Sequence, residues 1–122
     1  MKQAGTYERL IDRVTQLIYE ADPSLMDRYG EKGVQKCKDD NAHHMRHLET
    51  ALELGDSRVF SDYAVWLNGI LNTYGMQTRT LTDNFRYLQQ SLSTVDELDE
   101  PTKRAFGQYL TDAINRLEAD QD

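Results

Sequence analysis

Cysteine, proline and long apolar runs are what this chain has least of. Its 122 residues include one cysteine, Cys37, and two prolines, Pro23 and Pro101. A single thiol excludes an internal disulfide and predicts a reducing, cytoplasmic setting. No apolar stretch approaches the ~18 residues of a membrane span. None follows the lysine of the opening MKQAGTYERL either, so no secretory leader is expected. Positive charge is also short: 14 Lys and Arg against 21 Asp and Glu leave a net charge of −7. Sequence-independent nucleic-acid binding needs cationic side chains to neutralise phosphates, so the balance argues against it. No segment alternates apolar and polar residues as a half-buried strand does, and there are no long repeats.

Helical periodicity fills the chain instead. The length predicts one domain over 1–122. Tyr7, Leu10, Ile11, Val14, Leu17 and Ile18 share one helix face over Tyr7–Glu20. Asp22 before Pro23 signals a second, short helix ending at Gly30. A central helix follows over Gly33–Leu54 and stops at Gly55, with Asp56 or Ser57 capping the next. The fourth runs from about Arg58 to Tyr74. Its expected apolar face is Val59, Phe60, Tyr63, Leu67, Ile70, Leu71 and Tyr74, with Trp66 beside it. Thr78 or Thr80 is the expected cap of a fifth helix carrying Leu81, Phe85, Leu88 and Leu92. Ser93–Glu100 reads as a connection, and Pro101 opens a last helix buried through Ala105, Phe106, Tyr109, Leu110, Ala113, Ile114 and Leu117. The predicted class is all-α with a single core.

The chemistry-bearing residues gather in the central helix. It holds the only thiol, all three histidines (His43, His44 and His47) and the pair Asp39–Asp40. Positions three, four and seven apart share a face, which aligns Cys37, Asp40, His44 and Leu48. Asp40, His43 and His47 have the spacing of metal ligands on one face, but a closed site needs a fourth, and no other His or Cys exists. One histidine would suffice as a haem axial ligand. The plain alternative is a solvated polar face. A lone thiol on an apolar face is usually a small buried hydrophobe. Here Lys36 and Lys38 flank it near a helix start, which favours the thiolate, while Asp39 and Asp40 oppose it. The residues alone thus leave open a ligand-binding helical domain, a haem or metal binder, and a structural or interaction module.

Three runs carry a resemblance. They are Cys37-Lys38-Asp39-Asp40, then HHMRHLETALELGD, then DYAVWLNGILNTYG. In order and spacing they are similar to the phycobiliproteins, the bilin-carrying globins of cyanobacteria and red algae. Upstream, LIYEADPSLM resembles a turn of the same family, and the likeness extends from about Leu10 to Leu117. The resemblance implies a globin-like helical domain, shortened at the N-terminus, that binds a linear tetrapyrrole such as biliverdin or phycocyanobilin. It implies that Cys37 is the thioether anchor and that Asp40 hydrogen-bonds the central pyrrole N–H groups. Lys32 stands where a cation pairs with a propionate, and Tyr74 where a tyrosine closes the pocket. Lys36, His43, His44, His47, Tyr63 and Leu67 complete the implied bilin-binding set.

This sequence departs from the family in places. Asp39 replaces an expected arginine, histidines replace an aromatic pair and a tyrosine, and the N-terminal helices that assemble antenna rings have no counterpart. The likeness is therefore nearer to the small bilin-biosynthesis-associated globins, and to the helical domain beside cobalamin-binding domains in bacterial photoreceptors. The implied role is carriage, biosynthetic handling or light sensing in photosynthetic cells, without turnover. Bilin-biosynthesis enzymes or phycobiliproteins are the implied protein partners. A homodimer is expected as well, with Tyr7, Ile11 and Ile18 near the contact, because loss of the N-terminal helices would uncover apolar surface.

Overall fold

The structure is a computed structural model. It describes the backbone of residues 2–120 and the side chains of residues 7–120, so the two ends of the expected 1–122 domain lie outside the described residues. Helices are α1 Lys2–Ala21, α2 Ser24–Leu54, α3 Ser57–Thr73, α4 Thr78–Ser91 and α5 Glu100–Asp120, with a short 3-10 turn at Leu92–Thr94. There is no strand among the described residues, so the class is all-α as expected. No helix there is long and apolar enough to cross a membrane.

Local chemistry sets the boundaries. Gly55 takes a left-handed φ of 65° and ends α2, as its lack of a Cβ allows. Asp56 caps α3 by accepting from the Arg58 backbone N–H at 2.9 Å. The expected short second helix and the central helix run together as α2, but the backbone breaks at Gly30 (φ 61°, ψ −154°). Gly33 permits that break, since a Cβ there would stand 2.5 Å from the Tyr29 Cβ.

One capping expectation needs correction. Thr78 lies inside α4, buried, and its Oγ1 accepts from Asn68 Nδ2 at 3.0 Å; the residue before α4 is Gln77, whose side chain makes no cap bond. At α5, Asp99 does the capping, accepting from the Thr102 N–H at 2.9 Å ahead of Pro101.

The core forms where the five apolar faces meet. Phe60 from α3, Phe85 from α4 and Phe106 from α5 are fully buried, with Leu10, Val14, Met45, Leu48, Leu88, Leu110 and Leu117 around them. α3 packs most extensively on α5, while α1 lies against both α2 and α4. Val95, next to Leu92 of the preceding helix face, plugs the Ser93–Glu100 connection into this core, so a segment expected to be a polar link is anchored by an apolar residue. The polar seams are specific. Ser57 donates to Asp112 at 2.7 Å, and Gln89 donates to Thr111 at 2.8 Å and to the Gly107 carbonyl at 3.1 Å.

Two expectations about surfaces are overturned. Tyr7 is buried, and its hydroxyl donates to Glu49 at 2.9 Å, which ties α1 to α2; Ile11 and Ile18 pack on the same core. Of the expected dimer contact on α1, Tyr7 is therefore interior, while Ile11 and Ile18 are half-buried against the core. Conversely, Ile70 and Tyr74 do not join the core. Ile70 is 36% and Tyr74 80% exposed, because Gly75 (φ 84°) turns the chain away as α3 ends.

Candidate functional site

The second half of α2 and the facing half of α3 bring the sequence-selected residues into two neighbouring groups. His44 centres the first. It is 2% exposed, and its Nδ1 lies 2.7 Å from the Tyr63 hydroxyl across the α2–α3 seam. Edge-on rings of Tyr63 and Phe85 enclose it, with centroids 5.8 and 5.2 Å away. Burial in that apolar cage, with His47 and His43 adding to the effect, pulls its pKa down to about 3. His44 is therefore a neutral imidazole over the physiological range.

His47 stacks flat on Tyr63, with centroids 3.7 Å apart and planes at 12°. Its Nδ1 donates to the His43 carbonyl at 2.9 Å. A carbonyl only accepts, so Nδ1 carries a proton, and in the neutral ring Nε2 is the acceptor. Trp66 continues the aromatic row, 6.4 Å from Tyr63. Asp40 sits beside this row. Its side chain is 44% exposed and accepts from Lys36 Nζ at 3.2 Å. Burial raises the Tyr63 pKa, and the Asp40 charge raises it further.

The second group surrounds the thiol and faces α1. Cys37 is half-buried, near Tyr19 and Thr15, and Asn41 Nδ2 lies 3.7 Å from its Sγ. The balance between the flanking lysines and aspartates is outweighed here by burial. Burial is the largest influence and pushes the thiol pKa up; Asp40 adds to the rise, and Thr15, Asn41 and Lys38 only offset part of it. The flanking lysines are also engaged elsewhere, Lys38 with Asp12 at 3.3 Å and Lys36 with Asp40. Alkylation of Cys37 by iodoacetamide at pH 7.5 is accordingly expected to run at least about tenfold slower than for an unhindered peptide thiol. Mass spectrometry over a time course checks this, and a rate equal to the peptide's would refute the shielding.

Comparison of the chain with protein-family models, with curated proteins and with solved structures finds no match.

Several expected site residues stand apart from these groups. Lys32 is exposed and forms no ion pair among the described residues. Tyr74 projects into solvent and closes nothing. His43 is exposed and contacts Arg46 Nη2 through its Nδ1. Leu67 is half-buried at the edge of the core. The spacing Asp40, His43 and His47 does not gather: among the described residues no three His, Cys, Asp or Glu side chains form a metal cluster. Two shallow grooves, of about 380 and 340 Å³, are lined by Arg46, Glu49, Thr50, Leu52 and Glu53, and by Glu8, Ile11, Asp12, Gln35, Lys38 and Ala42. Neither is lined by Cys37 or Asp40.

Sequence reasoning missed one element of the site. Asn41 is fully buried and exchanges hydrogen bonds with Asn84 of α4, at 2.7 Å one way and 3.3 Å the other. It also donates to the Cys37 carbonyl at 2.9 Å. Its place four residues after Cys37, on the buried side of the helix, was the available signal.

Proposed function

We propose that this chain binds a linear tetrapyrrole, biliverdin or phycocyanobilin, along the seam between α2 and α3, as a carrier, biosynthesis-associated binder or light sensor rather than an enzyme. One observation carries the reading. A half-exposed carboxylate, Asp40, stands beside the aromatic row His47, Tyr63 and Trp66, three residues after the only thiol. A conjugated, protonated pyrrole chain asks for that combination: a flat surface to stack on and an anion to favour the cation. Nε2 of His47 adds an acceptor for an N–H group. The likeness to phycobiliproteins supports the same assignment and the same globin-like arrangement. When bound, the tetrapyrrole would supply visible absorption; the protein's part is to hold its charge and shape.

The residues fit this ligand unequally. Asp40, His47 and Tyr63, all partly exposed, suit non-covalent binding on the surface of the seam. Cys37 is shielded on the α1 side, so a thioether there requires α1 and α2 to part or a helper protein to act. Lys32 and Tyr74, both exposed, serve only if they fold over the ligand.

Titrating the purified chain with biliverdin or phycocyanobilin tests the reading. The expected outcome is saturable binding with a red absorption band. In Asp40→Asn the fold is unchanged by circular dichroism and ligand still binds, but the band weakens, moves blue and bleaches on a smaller rise in pH, because the cation has lost its counter-charge. A parent protein with no spectral change on titration rejects the proposal, and an identical band in Asp40→Asn rejects the role of that carboxylate.

A further inference from the structure

Among the described residues the outer face of α3 has no partner in the fold. Trp66, Ile70 and Tyr74 follow at four-residue spacing and form one continuous stripe, 62%, 36% and 80% exposed; Met76 in the turn beyond is 41% exposed. Scattered exposed apolar residues are normal, whereas a contiguous patch of several hundred Å² marks an interaction site. With ~150–250 Å² for a whole large aromatic side chain, these four expose on the order of 500 Å². The adjoining exposed residues Gly69, Asn72, Thr73 and Gln77 extend the patch toward the ~800 Å² that each partner buries in a specific interface.

Two further features identify the occupant. First, the chain carries no charged residue between Asp62 and Arg79, the longest such gap in a sequence that is 29% charged. A uniformly neutral face offers nothing to a basic, acidic or nucleic-acid partner. It does let two molecules of net charge −7 approach without like charges meeting at the contact. Second, Gly69 lies on this face, in the interior of α3. A Cβ there would meet nothing within 4 Å, so no contact inside the monomer calls for glycine, and glycine weakens a helix interior relative to alanine. A bare backbone flanked by Trp66, Ile70 and Thr73 lets a second helix come close.

We infer that the Trp66–Gly69–Ile70–Thr73 face of α3 is the contact surface of a twofold homodimer, with the two α3 helices crossing near Gly69. Such an interface is self-complementary, the same patch serving on both chains. It shares Trp66 with the aromatic row proposed for the chromophore, so it is tested on the chain without ligand, where its outcome does not depend on that reading.

The test uses the full chain without ligand from about 1 to 100 µM, a span that covers weak interfaces. Sedimentation equilibrium is expected to show twice the 14.1 kDa chain mass at the upper end. Trp66 is the only tryptophan, so its emission should move blue as concentration rises. Trp66→Glu and, as a second exposed site, Thr73→Glu should dissociate at least tenfold more readily, with helical content unchanged. Gly69→Ala should separate the two demands on that position, raising the melting temperature of the dilute monomer while weakening the dimer. A chain that remains monomeric at 100 µM overturns the inference. So does a dimer that forms as tightly in both glutamate variants as in the parent.

Discussion

Acidification from pH 7 to pH 4 is expected to remove about 3 kcal/mol of stability through His44 alone. In the unfolded chain this imidazole titrates near its ordinary 6.5, while in the fold it resists protonation down to about 3. Between those values the unfolded state binds a proton that the folded state does not. Stability is therefore full above pH 6.5 and falls as pH is lowered toward 3, at up to ~1.4 kcal/mol per pH unit. Urea unfolding at half-unit pH steps measures it. The variant carrying both His44→Phe and Tyr63→Phe removes the titrating group without orphaning its hydroxyl partner, and its curve should be nearly flat from pH 7 to pH 5. If the double variant keeps the parent's slope there, His44 is not the source. The consequence for function is direct: acid weakens the fold at the ring that supports the aromatic row.

The second large effect concerns Asn41 and Asn84. Converting Asn41 to Leu is expected to cost about 2–3 kcal/mol, because it strands the Asn84 amide and removes the bond to the Cys37 carbonyl. Converting both to Leu should recover much of that loss, since two apolar groups facing each other leave no unpaired amide between them. The single and double variants, compared by thermal and denaturant unfolding, form a cycle whose coupling should exceed about 1 kcal/mol. Additive losses would mean that the two amides act separately. The pair joins α2 to α4 directly behind the thiol, so the single variant should also speed alkylation of Cys37.

The helices were legible because each carries a 3.6-residue apolar stripe long enough to outweigh local ambiguity. Val14, Phe60, Phe85 and Leu110 fell where periodicity placed them. Gly30, Gly55 and Gly75 marked their turns because left-handed φ leaves few other choices. Periodicity failed at the end of α3, where Ile70 and Tyr74 keep the stripe but run past the elements that could cover them. It failed differently at α1: Tyr7 is apolar enough for an interface, and only the placement of Glu49 and α4 shows it to be interior. At the site, spacing put Cys37, Asp40 and His44 on one side of α2. It could not tell that the thiol would turn toward α1 while the carboxylate stayed by Tyr63, because a difference of 60° around a helix decides which neighbour each meets. The dominant influence on the thiol was out of reach for the same reason. Sequence shows the lysines beside Cys37, but not the helix that buries it nor the aspartates that claim those lysines.

The interruption at Gly30 also bears on how motion spreads. Hydrogen bonding along a helix is cooperative, each turn templating the next. At Gly30 that relay is cut, leaving Ser24–Tyr29 as a separate short arm whose large apolar side chains Met26 and Tyr29 are already in water. Such an arm can lift and reseat on its own as a low-stability unit. The disturbance stops at the glycine, and the register of the residues from Cys37 to His47 is untouched. The break acts as a firebreak: it confines fraying to one end of α2 and keeps the histidine-bearing end under the control of the core.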